Sequence, residues 1–123
     1  MTSCVNSLAI DAHDPKALAR FWCEVLNHRI DDEEEGFVST TPTEGQGLRL
    51  DFLQVPEGKT VKNRLHLDIR ALDSNQDAEV ARVESLGAYR VDVGQTSKDS
   101  WVVLADPEGN EFCILSDLQD MMP

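Results

Sequence analysis

Residues 5–12 and 64–71 begin the same pattern, and that pattern then runs to completion twice. Each time an alternating strand leads into a helical segment and then into three further strand candidates. A repeat that covers nearly the whole chain restricts the fold more than any single motif, because each copy must bury its own apolar face with the same few elements. In the first copy Leu8, Ile10 and Ala12 alternate with Ser7, Ala9 and Asp11. Asp14-Pro15 starts a helix, with Asp as N-cap and Pro at the first helical position, where its missing N–H costs nothing. Leu18, Phe21, Trp22, Val25 and Leu26 fall at helical spacing on one stripe, and Asn27 is an acceptable stop. Residues 28–30 open a second strand. The acids Asp31-Asp32-Glu33-Glu34-Glu35 before Gly36 read as a solvated hairpin tip, since packing five like charges is costly. They lack the spaced ligands and central glycine of a calcium loop. Residues 37–40 form a third strand and 41–47 a loop. In a fourth strand, 48–55, Leu48, Leu50 and Phe52 alternate with Arg49, Asp51 and Leu53 before Pro56-Glu57-Gly58 breaks it.

The second copy opens at 64–71, where Leu65, Leu67 and Ile69 share one face and His66, Asp68 and Arg70 the other. Ser74 with Asp77 is a capping signature for a helix running to Leu86, its stripe (Val80, Val83, Leu86) thinner than the first, with Gly87 as C-terminal cap. Residues 88–93 read as a strand and 94–99 as a loop. The stretch from Trp101 to Leu115 is two strands joined by the turn Asp106-Pro107-Glu108-Gly109-Asn110, where Pro sets one dihedral and Gly and Asn tolerate positive φ. Beyond the turn, Glu111, Cys113 and Leu115 lie on one face, and Phe112 and Ile114 on the other. Residues 116–123 read as a frayed tail or a partner contact.

Length and charge narrow the function. At 123 residues the chain is long enough for one domain with a core and no disulfides. Eleven basic residues against 23 acidic ones give a formal net charge of −12. That argues against nucleic acid as a partner. It suits a soluble protein and, weakly, a cationic ligand. Cys4, Cys23 and Cys113 are odd in number and lack metal-like spacing, so reduced thiols and a cytoplasmic location are expected. No signal peptide or membrane-length apolar run is expected, hence no membrane partner.

Three segments, in order and spanning most of the chain, carry a resemblance: Asp14-Pro15 with Phe21-Trp22 and Leu26, then Lys62-Asn63-Arg64-Leu65-His66-Leu67-Asp68, then Asp106-Pro107-Glu108-Gly109-Asn110-Glu111. Together they resemble the glyoxalase / bleomycin-resistance / dioxygenase group, the vicinal oxygen chelate superfamily, and in particular its glyoxalase-like branch. The resemblance implies an α+β fold of two βαβββ modules forming a concave mixed sheet with helices outside. Residues 1–123 would be a single glyoxalase-like domain, with module one about 4–56, module two about 62–116 and a tail 117–123. Metal-dependent relatives hold a divalent ion with one side chain from each of four inner strands. Carried over, those positions fall on Ser7 (or Ala9), Asp51, His66 and Cys113, with Glu111 two residues before the last. The usual His or Gln with Glu is absent, so no cofactor is expected. Were one to bind, it would be a divalent metal ion with Asp51 and His66 as the candidate ligands.

Strand parity places Asp11, Asp51, His66, Asp68, Arg70, Glu111 and Cys113 on the faces opposite the helix-packing residues, as candidate ligand-binding groups of one cavity. A bulge would flip members of that set, and the strand holding Asp51 is the place expected to carry one. His66 is the best catalytic candidate, as ligand or general base, against a plain pocket histidine bonded to Asp68 or Asp51. Cys113 is a small buried hydrophobe in preference to a thiolate, since acidic neighbours would raise the thiol rather than lower it. Arg70 either pairs with Asp68 or holds a ligand anion. Trp22 belongs to the core stripe, whereas Trp101 is left undecided. Three functions follow from this set. The first is metal-independent small-molecule binding of the bleomycin-resistance type. The second is a metal-dependent lyase, isomerase or dioxygenase acting on vicinal oxygens. The third is an interaction domain with a vestigial pocket. Unpaired sheet edges in two short modules also lead to the expectation of a homodimer.

Overall fold

The computed structural model describes residues 1–92 and 100–116. The loop read at 94–99, the end of the strand read at 88–93 and the tail 117–123 lie outside the described residues. The chain divides after Gly58 into two compact units. The first contains β1 (Leu8–Ala12), α1 (Pro15–Leu26), β2 (His28–Glu34), β3 (Phe37–Pro42) and β4 (Leu50–Gln54). The second contains β5 (Leu67–Ile69), α2 (Gln76–Ser85), β6 (Tyr89–Arg90), β7 (Val102–Ala105) and β8 (Glu111–Ile114). The sheets have one topology: β1-β4-β3-β2 in the first unit and β5-β8-β7-β6 in the second. In each, the opening strand runs parallel to the closing one, and the remaining pairs are antiparallel. The expected pair of βαβββ modules is thus present.

Helix α1 forms where its stripe and caps place it. The Asp14 side chain accepts from the Ala17 N–H at 3.1 Å, and Asn27 adopts the left-handed conformation that ends the helix. Its buried face presents Leu18, Phe21, Trp22 and Val25, and the sheet contributes Val38, Leu50 and Phe52 to the same core. Burying each such side chain is worth roughly 1.5–3 kcal/mol. The Phe21 and Trp22 rings meet edge to face, 5.2 Å between centroids. The core of the second unit is Val80 and Val83 with Leu104, Phe112 and Ile114.

Several expectations need correction. The acidic run is not a hairpin tip. β2 continues through Glu34, and only Glu35 and Gly36 make the turn. An edge strand tolerates these charges because alternate side chains diverge, and because some are paired: Lys16 with Glu33 at 3.1 Å, and Arg29 and Arg49 with Asp31 at 3.3 and 3.1 Å. The bulge is here as well, the register slipping between Ile30 and Asp32, while the Asp51 strand pairs regularly on both sides. Helix α2 is capped by Asn75, whose side chain accepts from the Ala78 N–H at 2.9 Å, and not by Ser74. At its other end the Gly87 N–H reaches Glu84 O and the Ala88 N–H reaches Val83 O, each at 3.1 Å. That is a Schellman motif around a glycine at φ +122°. The strand read at 64–71 shrinks to three residues, and Leu65 is 80 % exposed. Residues preceding it are drawn into a polar loop fixed by side chains of the closing hairpin.

Candidate functional site

β5 and β8 lie side by side with Asp68 opposite Cys113, and β7 places Val103 opposite Cys113 on the other flank. Phe112 and Ile114 are fully buried in the core, so pleating sends Glu111, Cys113 and Leu115 to the other face. There they line a cavity of about 290 Å³, together with Lys62, His66, Asp68, Trp101 and Val103. All eight residues belong to the second unit. Trp101, which the sequence left undecided, is a cavity wall. It shares parity with Val103, and the pairing of Val103 with Cys113 is what puts that parity on the cavity face. Lys62 comes from the loop before β5, where no periodicity could have found it.

Glu111 is held in place from the loop. Its carboxylate accepts from Lys59 Nζ at 2.7 Å and from the Asn63 backbone N–H at 3.0 Å. Burial pushes its carboxyl up, but the Lys59 hydrogen bond, the Asn63 N–H and the Lys59 charge outweigh burial and hold it below the usual range. The same loop is bonded to the turn: Asn63 Nδ2 donates to Asn110 Oδ1 at 2.8 Å. Asn110 Nδ2 in turn donates to the buried Asp106, which also accepts the Glu108 and Asn110 backbone N–H groups at 2.9 and 3.0 Å. The two sequence segments that carry the resemblance in this unit are therefore one hydrogen-bonded clamp. Glu111 lines the cavity while spending its charge on that clamp.

Asp68 is the other centre. Its Oδ1 lies 2.9 Å from His66 Nδ1. Burial raises the Cys113 thiol to about 11, helped by the Asp68 charge and a hydrogen bond to Asp68, with Lys62 opposing. Arg70 does not join the group. It lies beyond the last residue of β5, where strand parity lapses, it does not line the cavity, and Asp68 pairs with His66 instead. In the first unit Asp11 is exposed on β1. Asp51 accepts from Ser39 Oγ at 2.6 Å, and Ser39 Oγ accepts from Arg49 Nη2 at 2.9 Å, so Asp51 belongs to a polar chain ending at Asp31.

The donor set decides how well a metal ion fits. His66, Asp68 and Cys113 each offer one ligand atom within 4.8 Å of the others. The atoms are, however, committed to one another: Nδ1 faces the carboxylate, and the thiol holds its proton to about pH 11. Hard ions such as manganese take oxygen and imidazole donors, not a protonated thiol. Holding such an ion would require the Cys113 thiol to lose its proton and the Asp68 carboxylate to give up its hydrogen bond from His66.

Two units of βαβββ topology, each with its opening strand parallel to its closing one, are the arrangement of the vicinal oxygen chelate superfamily. Within it the chain belongs to the glyoxalase-like domain family, whose profile matches residues 7–115. No curated protein matches the chain in sequence. Among solved structures it is similar to the genomically encoded fosfomycin resistance protein FosX from Listeria monocytogenes, complexed with Mn(II) and sulfate. That similarity has a TM-score of 0.73 at 12 % identity over 98 % of this chain and 95 % of that one. It is also similar to a glyoxalase/bleomycin resistance protein/dioxygenase family enzyme from Burkholderia phytofirmans PsJN, at 0.67 and 19 % over 88 % and 94 %. A third similarity is to the oxidase ChaP-H2, at 0.62 and 23 % over 95 % of both chains. At these identities the likeness is one of fold, and one fold hosts many reactions.

Proposed function

We propose that the protein binds a small organic molecule in the cavity of its second unit, without a metal ion. One observation carries this reading: the cavity's carboxylates are already bonded, Glu111 to Lys59 and Asn63 of the loop, and Asp68 to His66. What remains toward the cavity is an apolar wall of Trp101, Val103 and Leu115 with a few polar groups, the usual make-up of a small-molecule site. His66, Asp68, Glu111 and Cys113 are read as its ligand-facing residues. The same reading takes residues 1–123 as one domain in a cytoplasmic homodimer. Among the described residues no helix is long and apolar enough to cross a membrane.

The second reading, a metal-dependent enzyme, is favoured by the convergence of His66, Asp68 and Cys113 and by the Mn(II) bound in FosX. Elemental analysis of dialysed protein, with ligand screening by thermal shift with and without chelator, separates the two. Ligand-induced stabilisation that ignores chelator supports metal-free binding. Near-stoichiometric metal that falls sharply in His66→Ala would overturn it in favour of the enzyme.

A further inference from the structure

The chemistry of the cavity narrows the ligand, given the reading of this cavity as a small-molecule site. A carboxylate can only accept hydrogen bonds. With Asp68 Oδ1 at 2.9 Å, the hydrogen of the neutral His66 ring is therefore on Nδ1, and Nε2 keeps its lone pair. No described residue supplies a donor to Nε2. Asp68 sits opposite Cys113 across the β5–β8 ladder, with the imidazole bonded to its carboxylate. The tautomer is thus set by a carboxylate that the sheet itself positions. The other cavity walls contribute the Trp101 indole, Val103 and Leu115, which offer apolar and stacking surface, with Lys62 and the loop-bonded Glu111 at its polar margin. At about 290 Å³ the cavity falls just under the roughly 300–1,000 Å³ of sites for drug-sized ligands, which suits a molecule of one or two rings.

We propose that the cavity selects a one- or two-ring, largely apolar molecule bearing a hydroxyl group, whose O–H donates to His66 Nε2. His66 is the specificity-determining acceptor, and Asp68 is the positioning residue that keeps it an acceptor. A methyl ether of the same ring system fills the same space but has no hydrogen to give, so it leaves the acceptor without a partner.

The test compares 2-naphthol with 2-methoxynaphthalene on the full chain at pH 8, with binding followed by tryptophan fluorescence. The wild type is expected to favour the hydroxyl compound by roughly three- to tenfold in Kd, the span of one net hydrogen bond. In Asp68→Asn the amide can either accept from Nδ1–H or donate to Nδ1, so the ring hydrogen is no longer held on Nδ1 alone. The preference for the hydroxyl compound should shrink toward equality while both compounds still bind. His66→Gln, whose amide can donate or accept, provides a second arm should Asp68→Asn fail to fold, and it should bind the two compounds about equally. Saturable binding of both compounds with equal wild-type affinity would overturn the hydroxyl assignment while leaving the small-molecule reading intact. A preference unchanged in Asp68→Asn would overturn the role of Asp68. Binding of neither compound would overturn this proposal, whereas the cavity reading falls only if the thermal-shift screen finds no stabilising ligand.

Discussion

Replacing Asp106 by alanine should destabilise the chain more than any surface change of similar size. Its side chain is fully buried within the Asp106–Asn110 turn. It accepts the Glu108 and Asn110 backbone N–H groups at 2.9 and 3.0 Å, and Asn110 Nδ2 at 3.1–3.2 Å through both oxygens. Removing the carboxylate leaves three donors without their acceptor, at about 1–3 kcal/mol each when water cannot replace it. Glu108 and Asn110 are only half-buried, so the lower end applies, and the sum is about 3 kcal/mol. For a chain of this length that corresponds to a fall in Tm of roughly 10–15 °C. Asp106→Asn keeps one acceptor oxygen and should lose about half as much. Urea unfolding followed by circular dichroism and tryptophan fluorescence measures both. A loss below about 1 kcal/mol for Asp106→Ala would refute the idea that this carboxylate holds the turn.

Two further predictions concern titration. The Glu111 carboxyl lies below its usual 4.5 in the folded chain, so it contributes stability above the unfolded value, and this is lost as pH falls through the folded value. The stability difference between wild type and Glu111→Gln should therefore narrow as pH drops below about 4.5, and a constant difference from pH 7 to 3 would contradict the Lys59 pairing. For Cys113 the sign is opposite: a thiol raised from 9.0 to about 11 stabilises the fold below pH 9 and ceases to as pH rises toward 11. At pH 8 roughly one Cys113 in a thousand is a thiolate, so iodoacetamide followed by peptide mass analysis should label the exposed Cys4 well before Cys113. Equal labelling rates in the native protein would contradict that environment.

What the sequence determined by itself was periodic or local. The stripe Leu18, Phe21, Trp22, Val25 made α1, and Asp14 capped it, because i+3 and i+4 neighbours and a cap act within one element. The alternation through Glu111–Ile114 divided core from cavity, because pleating leaves a strand residue only two faces. The doubled order of elements implied the two modules for the same reason, each helix having one sheet face to cover. What depends on partners distant in the chain was not legible. Five consecutive acids read as a tip until Lys16, Arg29 and Arg49 brought cations to them along an edge strand. That Glu111 bonds Lys59 and the Asn63 N–H, about fifty residues earlier, needed the folded loop. Arg70 kept its place on the cavity face only while β5 was thought to continue past Ile69. The grouping of His66, Asp68 and Cys113 needed the parallel register of β5 on β8, and the side of Trp101 needed that of β7 on β8. Register between strands is fixed by which apolar residues share the core and which polar groups bond across the turn, and those are properties of the folded chain.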